Sequence, residues 1–420
     1  MDKLSRFFAK EERNSVKNIK KDIKKIGPGV ITGGADNDPG GIVTYTTVGA
    51  TTGFSLLWLL LITTPMMIVI QEMAARIALI KKKGLASIIK EHYGTKIAVA
   101  ITIILAIANI ATIAADIAGL SAVLGMLTGI NWMYFILPIV LLIWYIIVFK
   151  KYKLMRNILL ILTFTLIVYV FAAVSAAPSA ADILKGFIPN MSFSFVFLAA
   201  AVALIGTTIS PYLLFWQASD ELEEHKTILR AKDMEWDTTL GMVWSNLIAA
   251  FIIIATAATI FEKTGELQSV QQAASVLRPF AGNLAYLFFT LGIIFSGFLA
   301  IPVLIGSTSY AFAEIFGFRE GFNKKPNRAK QFYIIVSICA AVGALIALLP
   351  VNPIKFLFYT QVLDGLLMPF LVVVLIALCN NKKIMGAFVN TKWKNFVAVA
   401  LTAILSVLDV FLIIELIKMI

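Results

Sequence analysis

The residues of this chain that could do chemistry gather inside one apolar segment. Between about Val30 and Leu61 runs Gly33-Gly34-Ala35-Asp36-Asn37-Asp38-Pro39-Gly40-Gly41, which sets a carboxylate, a proline and adjacent glycines into an otherwise hydrocarbon-compatible stretch. Pro39 removes a backbone donor, and Gly40 and Gly41 remove the bias toward a right-handed helix. The carbonyls freed in this way need partners that hydrocarbon cannot supply. A broken membrane helix is tolerated where it lines a cavity, and an ionisable Asp38 at such a break points to a cation. A solvated loop between two short helices, or a proline kink with Asp38 paired to a neighbour, is the structural alternative.

The elements that must hold this stretch are membrane helices. The chain has 420 residues, of which 60% are hydrophobic and 14% charged, with a mean hydropathy of +0.89. Soluble globular chains are nearer half apolar. Apolar runs of about twenty residues recur along the whole length, leaving no soluble region large enough for separate enzymology. A formal net charge of +12 is compatible with nucleic-acid binding, but the basic residues sit in short clusters between apolar runs, where they set topology, so no nucleic-acid partner is expected. Cys339 and Cys379 are too few and too dispersed for a disulfide frame or a thiolate metal site.

Residues 1–26 form a basic tail with no apolar core of signal-peptide length, expected in the cytoplasm as an amphipathic or disordered segment. One transporter domain is expected over 27–420. Its spans read approximately as 30–52, 55–80, 97–126, 132–149, 155–177, 193–218, 238–260, 281–314, 331–350, 353–379 and 394–417. The loops test the count. Clusters such as Lys81-Lys82-Lys83, Lys150-Lys151, Lys324-Lys325 and Lys382-Lys383 all fall on the side of the tail, as the positive-inside rule requires, which puts the C-terminus outside. The segment Asp220–Asp237 departs from the pattern. Its mixed charge at helical spacing predicts a solvated cytoplasmic helix.

A second interruption, Gly206-Thr207-Thr208-Ile209-Ser210-Pro211, falls in the sixth span, five spans after the first. Two broken helices at equivalent places of two five-span halves, about 27–177 and 193–379, predict an inverted-repeat transporter with its site between the breaks. An isolated proline kink in span six is the alternative.

These residues carry a resemblance. The chain resembles the NRAMP family of divalent metal transporters, in particular its NRAMP-related magnesium transporter branch, over nearly its full length from Gly27. Gly27-Pro28-Gly29 and Asp38-Pro39-Gly40 are similar to the family's GPG and DPGN signatures. Further matches are Gln71 through Ala75-Arg76, Asp116, Gly292 and Gly297, Gln361-Val362 with Pro369-Phe370, and Met385-Gly386 through Phe388-Val389-Asn390. The resemblance implies an all-α polytopic membrane fold of about 11 transmembrane helices, a LeuT-like 5+5 inverted repeat with helices 1 and 6 broken and one extra helix. The departures are chemical. Gly41 replaces the asparagine of DPGN; Thr207, Ser210 and Tyr212 stand where the family has an alanine, its metal-binding methionine and a histidine. Gln217 stands at a second histidine, Gly119 at a span-three acid implicated in proton movement, and Asp364 is an added carboxylate.

Carried onto this chain, the family's site implies Asp38, carbonyls near Ala35 and Thr207, the Thr207 or Ser210 hydroxyl, and the Gln361 amide around the metal. Gly41 contributes space, and Asp364 either contacts the ion, directly or through water, or pairs with a neighbouring helix. Asp116 is expected as a packing acid or a remnant of the family's polar pathway, and Glu72 and Asn246 as contacts between helices. All these donors are oxygens. Thioether sulfur selects softer metals, whereas carboxylate, carbonyl, hydroxyl and water suit Mg²⁺, Mn²⁺ and Ca²⁺, and Mg²⁺ keeps several waters. The expected substrates are Mg²⁺ and Mn²⁺, imported across the plasma membrane by alternating access, with no cofactor, no enzymatic activity and no obligate protein partner beyond the lipid bilayer. His92 and His225 both fall in expected loops, so uptake without proton coupling is the simpler expectation. The alternatives are a proton-coupled Mn²⁺ or Fe²⁺ symporter of the ordinary kind, an amino-acid symporter on the same fold, and a channel. An intramembrane enzyme is disfavoured because no nucleophile-base pair or HExxH-type motif occurs.

Overall fold

The computed structural model describes residues 27–150, 152–224, 231–261, 269–278 and 285–419, with single positions 229, 267 and 282; the basic tail and His225 lie outside the described residues. Helices are numbered α1–α18 among them. The first span is α1 (Pro28–Ala35) and α2 (Pro39–Thr52). The next four are α3 (Leu57–Lys81), α5 (Thr95–Thr128), α6 (Met133–Phe149) and the pair α7 (Tyr152–Thr165) and α8 (Val168–Ser175), with α4 (Leu85–Tyr93) between α3 and α5. After α9 (Ala180–Gly186), the sixth span is α10 (Phe195–Thr208) and α11 (Pro211–Glu223), followed by α12 (Ala231–Ile260). The remainder is α13 (Val270–Ala274), α14 (Ala285–Phe316), α15 (Lys330–Ala347), α16 (Pro353–Asn380), α17 (Lys382–Met385) and α18 (Lys392–Met419). Nine stretches among the described residues are long and apolar enough to cross a membrane. The shorter Met133–Phe149 and the α1–α2 pair complete the eleven crossings expected.

Both breaks fall where the sequence places them, and both restart in the same way. Asp38 caps α2, its carboxylate accepting from the Gly41 amide, with Pro39 at the first helical position. Ser210 precedes α11, with Pro211 at the first position. Proline costs nothing there, because that N–H has no intrahelical partner in any case. Proline alone does not break a span: Pro65, Pro138, Pro302 and Pro369 lie inside continuous helices. The pause at Leu166–Ile167 between α7 and α8 contains neither proline nor glycine, and nothing in the sequence announces it.

The sixth span is the axis of the molecule, 94% buried over its apolar window, whereas the windows of α15 and α18 are 39% buried and face outward. α10 runs along α16, α1 along α12, and α5 along α14. The first of these contacts is close enough to require glycine: a Cβ on Gly206 would lie 2.1 Å from the Gln361 carbonyl oxygen. That approach brings the end of α10 to the middle of α16.

The described parts of the segment 220–237 differ from the solvated helix expected. α11 continues to Glu223 and α12 begins at Ala231, so its two ends are extensions of membrane helices, with Asp220 and Glu221 buried. Asp237 is buried too, and accepts from the amides of Gly27 (2.8 Å) and Gly29 (2.9 Å) at the N-terminus of α1. Residues 225–228 and 230 lie outside the described residues. Four connections also hold the short helices α4, α9, α13 and α17, each too short to register as an apolar run.

Candidate metal centre

Four carboxylates meet around the two breaks, and all are closed off from solvent: Asp36, Asp38, Asp116 and Asp364 are at most 1% exposed. Asp38 accepts from the Gly41 amide through Oδ1 and from Gln361 Nε2 through Oδ2 at 3.4 Å. Asp116, at mid-length of α5, accepts from the Gly40 amide at 3.3 Å. Asp364 lies nearly one turn beyond Gln361 on α16, beside the Thr112 side chain. Asp36 ends α1 and accepts from Ser245 of α12. Asp38 lies close enough to act electrostatically on each of the other three. Among the described residues none of the four is ion-paired to a lysine or arginine. Like charges desolvated together in this way require either protons or cations.

The oxygens converge beside Gly41. A Cβ placed on that residue would lie 2.8 Å from Thr207 Oγ1, 3.0 Å from the Asp36 carbonyl oxygen and 3.0 Å from Asp38 Oδ1. Any side chain on residue 41 would therefore fill the space that these three oxygens border. Gln361 completes one wall. Its Nε2 faces Asp38 while its Oε1 has no partner, and a half-turn of the amide would present the oxygen to a cation instead. Among the described residues no three His, Cys, Asp or Glu side chains form a ready-made metal cluster, so the donors that face one another are of mixed kind.

The remaining expected ligands are placed as follows. The Ala35 carbonyl accepts from the Tyr212 hydroxyl at 2.8 Å, so at the first break the carbonyl beside Thr207 is that of Asp36. Ser210 Oγ lies 2.9 Å from the carbonyls of both Gly206 and Thr207 and can donate to one of them, which keeps its lone pairs available. Gly119 packs against Leu357, where a Cβ would stand 2.8 Å from a methyl carbon. Gln217 accepts from Thr32 Oγ1 and donates to Glu221 at 3.0 Å, giving a buried polar line toward the end of α11.

Sequence reasoning underrated two residues. Asp116 holds the backbone of the first break rather than merely packing helices; the signal was an acid at the centre of a 34-residue apolar helix. Asp36 was passed over although it sits two residues from Asp38 in the same unwound turn. Glu72 and Asn246 do join helices, Glu72 to Lys394 of α18 at 3.0 Å while it also pairs with Arg76 one turn on in its own helix at 2.7 Å, and Asn246 to Thr64 of α3 at 2.8 Å.

Residues 29–415 match the model of the family described as natural resistance-associated macrophage protein-like. The chain belongs to that family. Among its relatives is a divalent metal cation transporter, MntH, of Staphylococcus haemolyticus, 26% identical over 97% of this chain and 95% of the relative. The protein of the same name from Staphylococcus saprophyticus is 27% identical over 93% and 91%. The solved manganese transporter of Eremococcus coleocola superposes with a TM-score of 0.73 at 20% identity, over 93% of this chain and 86% of that one. MHP1, a nucleobase-cation-symport-1 family transporter, superposes with a TM-score of 0.53 at 15% identity, over 93% and 90%. At these identities the superpositions speak for the fold alone. This NRAMP-like chain is a multi-pass membrane protein of a transporter family, with the inverted-repeat, broken-helix architecture that its two breaks require.

Proposed function

We propose that this NRAMP-like protein is a divalent cation transporter of the magnesium branch, importing Mg²⁺ and with it Mn²⁺ across the plasma membrane by alternating access, without moving protons. The observation that carries the reading is the donor set: Asp38, the Asp36 carbonyl and Thr207 Oγ1 converge beside Gly41, with Gln361 as a wall and Ser210 at the second break, and every donor is oxygen. Relatives named as divalent metal cation and manganese transporters support the substrate class. Ser210 in place of a thioether removes the discriminator for soft metals, and the open space at Gly41 suits an ion that keeps some of its waters. Asp364, close to Asp38, and Asp116, on the Gly40 amide, surround the ion with charge and can hold those waters. Import is favourable without a coupled proton, because a divalent ion moving inward gains roughly 4.6 kcal/mol at 100 mV, twice the value for one charge.

The test is reconstitution of the full chain in liposomes held at a negative internal potential, following Mg²⁺, Mn²⁺ and internal pH together. Uptake of both ions that carries current and leaves the internal pH constant is expected. Acidification that tracks ion influx and disappears in Asp116→Asn or Asp364→Asn would replace this reading with a proton-coupled Mn²⁺ symporter.

A further inference from the structure

The side chain of Asp36 is tied to α12. There Ser245 Oγ donates to Asp36 Oδ2 and accepts from Asn37 Nδ2 at 2.9 Å, and the same Asn37 nitrogen reaches the Gly33 carbonyl at 3.2 Å. One hydroxyl thus anchors both groups, and the other oxygen of each, Asp36 Oδ1 and Asn37 Oδ1, has no partner. All three residues are 0% exposed. Two acceptors left bare at complete burial are costly.

We propose that Asp36, Asn37 and Ser245 form a second cation subsite, distinct from the one beside Gly41, that takes a single monovalent metal ion of sodium or potassium size. The charge count sets the class. The subsite offers one formal negative charge and otherwise neutral oxygens, which one monovalent ion balances, whereas Mg²⁺ demands octahedral coordination and sheds water reluctantly. Its position has a consequence for the divalent site. The Asp36 carbonyl borders the space beside Gly41 while its carboxylate belongs to the second subsite, so an ion on the side chain fixes the turn that supplies the carbonyl. Filling either site organises the other, and the coupling is reciprocal.

The experiment measures the thermal stability of the purified full-length protein without divalent ions, in NaCl or KCl against choline chloride at equal ionic strength, since choline is too large to enter. At saturation the alkali cation is expected to raise the Tm by roughly 2–4 °C. Asp38→Asn should keep that rise, and Asp36→Asn and Ser245→Ala should lose it. Persistence of the Asp38→Asn shift separates this subsite from the divalent site, whatever ion the latter prefers. No rise with any alkali cation, a rise undiminished in Asp36→Asn, or one lost in Asp38→Asn but kept in Asp36→Asn would each overturn the proposal.

Discussion

Two of the clusters of buried charge in this protein are resolved in opposite ways. Near the ends of α3 and α18, Glu72 pairs with Arg76 at 2.7 Å and with Lys394 at 3.0 Å; Lys394 reaches on to Glu235 at 3.6 Å, and Arg76 also bonds the Phe388 carbonyl and Asn390. Every charge there has a counter-charge on another residue of the chain. At the breaks, Asp36, Asp38, Asp116 and Asp364 are more deeply buried and have no basic partner among the described residues. The first arrangement is complete as it stands and ties α3, α12 and α18 together. The second needs protons or cations from outside the chain to balance it, which is what the proposed transport site calls for. Burial and charge alone therefore do not mark a site; the missing counter-charge does.

The sharpest way to break the comparison is to neutralise one acid in each cluster. Asp38→Asn should lower divalent uptake by more than about 100-fold, because removing one partner of a buried charge contact costs about 3–5 kcal/mol. Without divalent ions the same variant should be at least as thermally stable as the wild type, since one of four mutually repelling charges is gone. Uptake within threefold of wild type would place the ion elsewhere. Glu72→Gln should do the reverse. It leaves Lys394 only the longer contact to Glu235 and half-strands Arg76, and about 3 kcal/mol of stability should go, the low end of the range because Arg76 keeps Phe388 and Asn390. A thermal scan should find the Tm lower by roughly 3–4 °C, with the Mg²⁺ to Mn²⁺ preference unchanged. An altered preference at normal stability would contradict the structural role.

How much of this contrast the sequence shows depends on the residue. Asp38, Pro39, Gly40 and Pro211 betray the breaks because each opposes a continuous helix on its own. Asp116 and Asp36 are harder, since the identity of an acid does not say whether a base faces it across the fold. Glu72 illustrates the same point from the other side: its partner Lys394 lies 322 positions away and is read from sequence only as a loop charge. The segment 220–237 misleads because mixed charge at helical spacing looks the same whether the face meets water or, as with Asp237, caps the start of another helix. The pause at Leu166–Ile167 has no local signal at all, so its cause is tertiary.

A smaller effect concerns which cation completes the open cluster. Ser210 precedes α11 with its hydroxyl turned to the Gly206 and Thr207 carbonyls, and it offers no sulfur. Ser210→Met should raise the affinity for Cd²⁺ relative to Mg²⁺ by on the order of tenfold, one soft contact being worth about 1.4 kcal/mol. The measurement is the ratio of the two uptake constants within the variant, which cancels any general loss from the altered helix start. An unchanged ratio would mean that residue 210 does not face the ion.

The smallest effect lies at a third gathering of acids, which resolves its charge by neither route. A cavity of about 220 Å³ beyond the end of α14 is lined by Glu223, Glu314, Glu320, Tyr310, Asn323 and Lys324 among others. Burial, and after it the neighbouring Glu314, push the carboxyl of Glu320 up to about 9, against the pull of Lys324 and with a further push from Glu223. In the unfolded chain the same group titrates near 4.5. Between those values the folded protein holds a proton that the unfolded chain releases, so the stability linked to Glu320 is fully present below about 4.5 and is lost as pH rises through about 9. Thermal scans from pH 6 to pH 9.5 should therefore show the wild type losing stability faster than Glu320→Gln, whose amide stays neutral throughout. Parallel curves would mean that Glu320 is ionised in the folded state, with Lys324 as its counter-charge, and this acid would then belong with the paired cluster around Glu72.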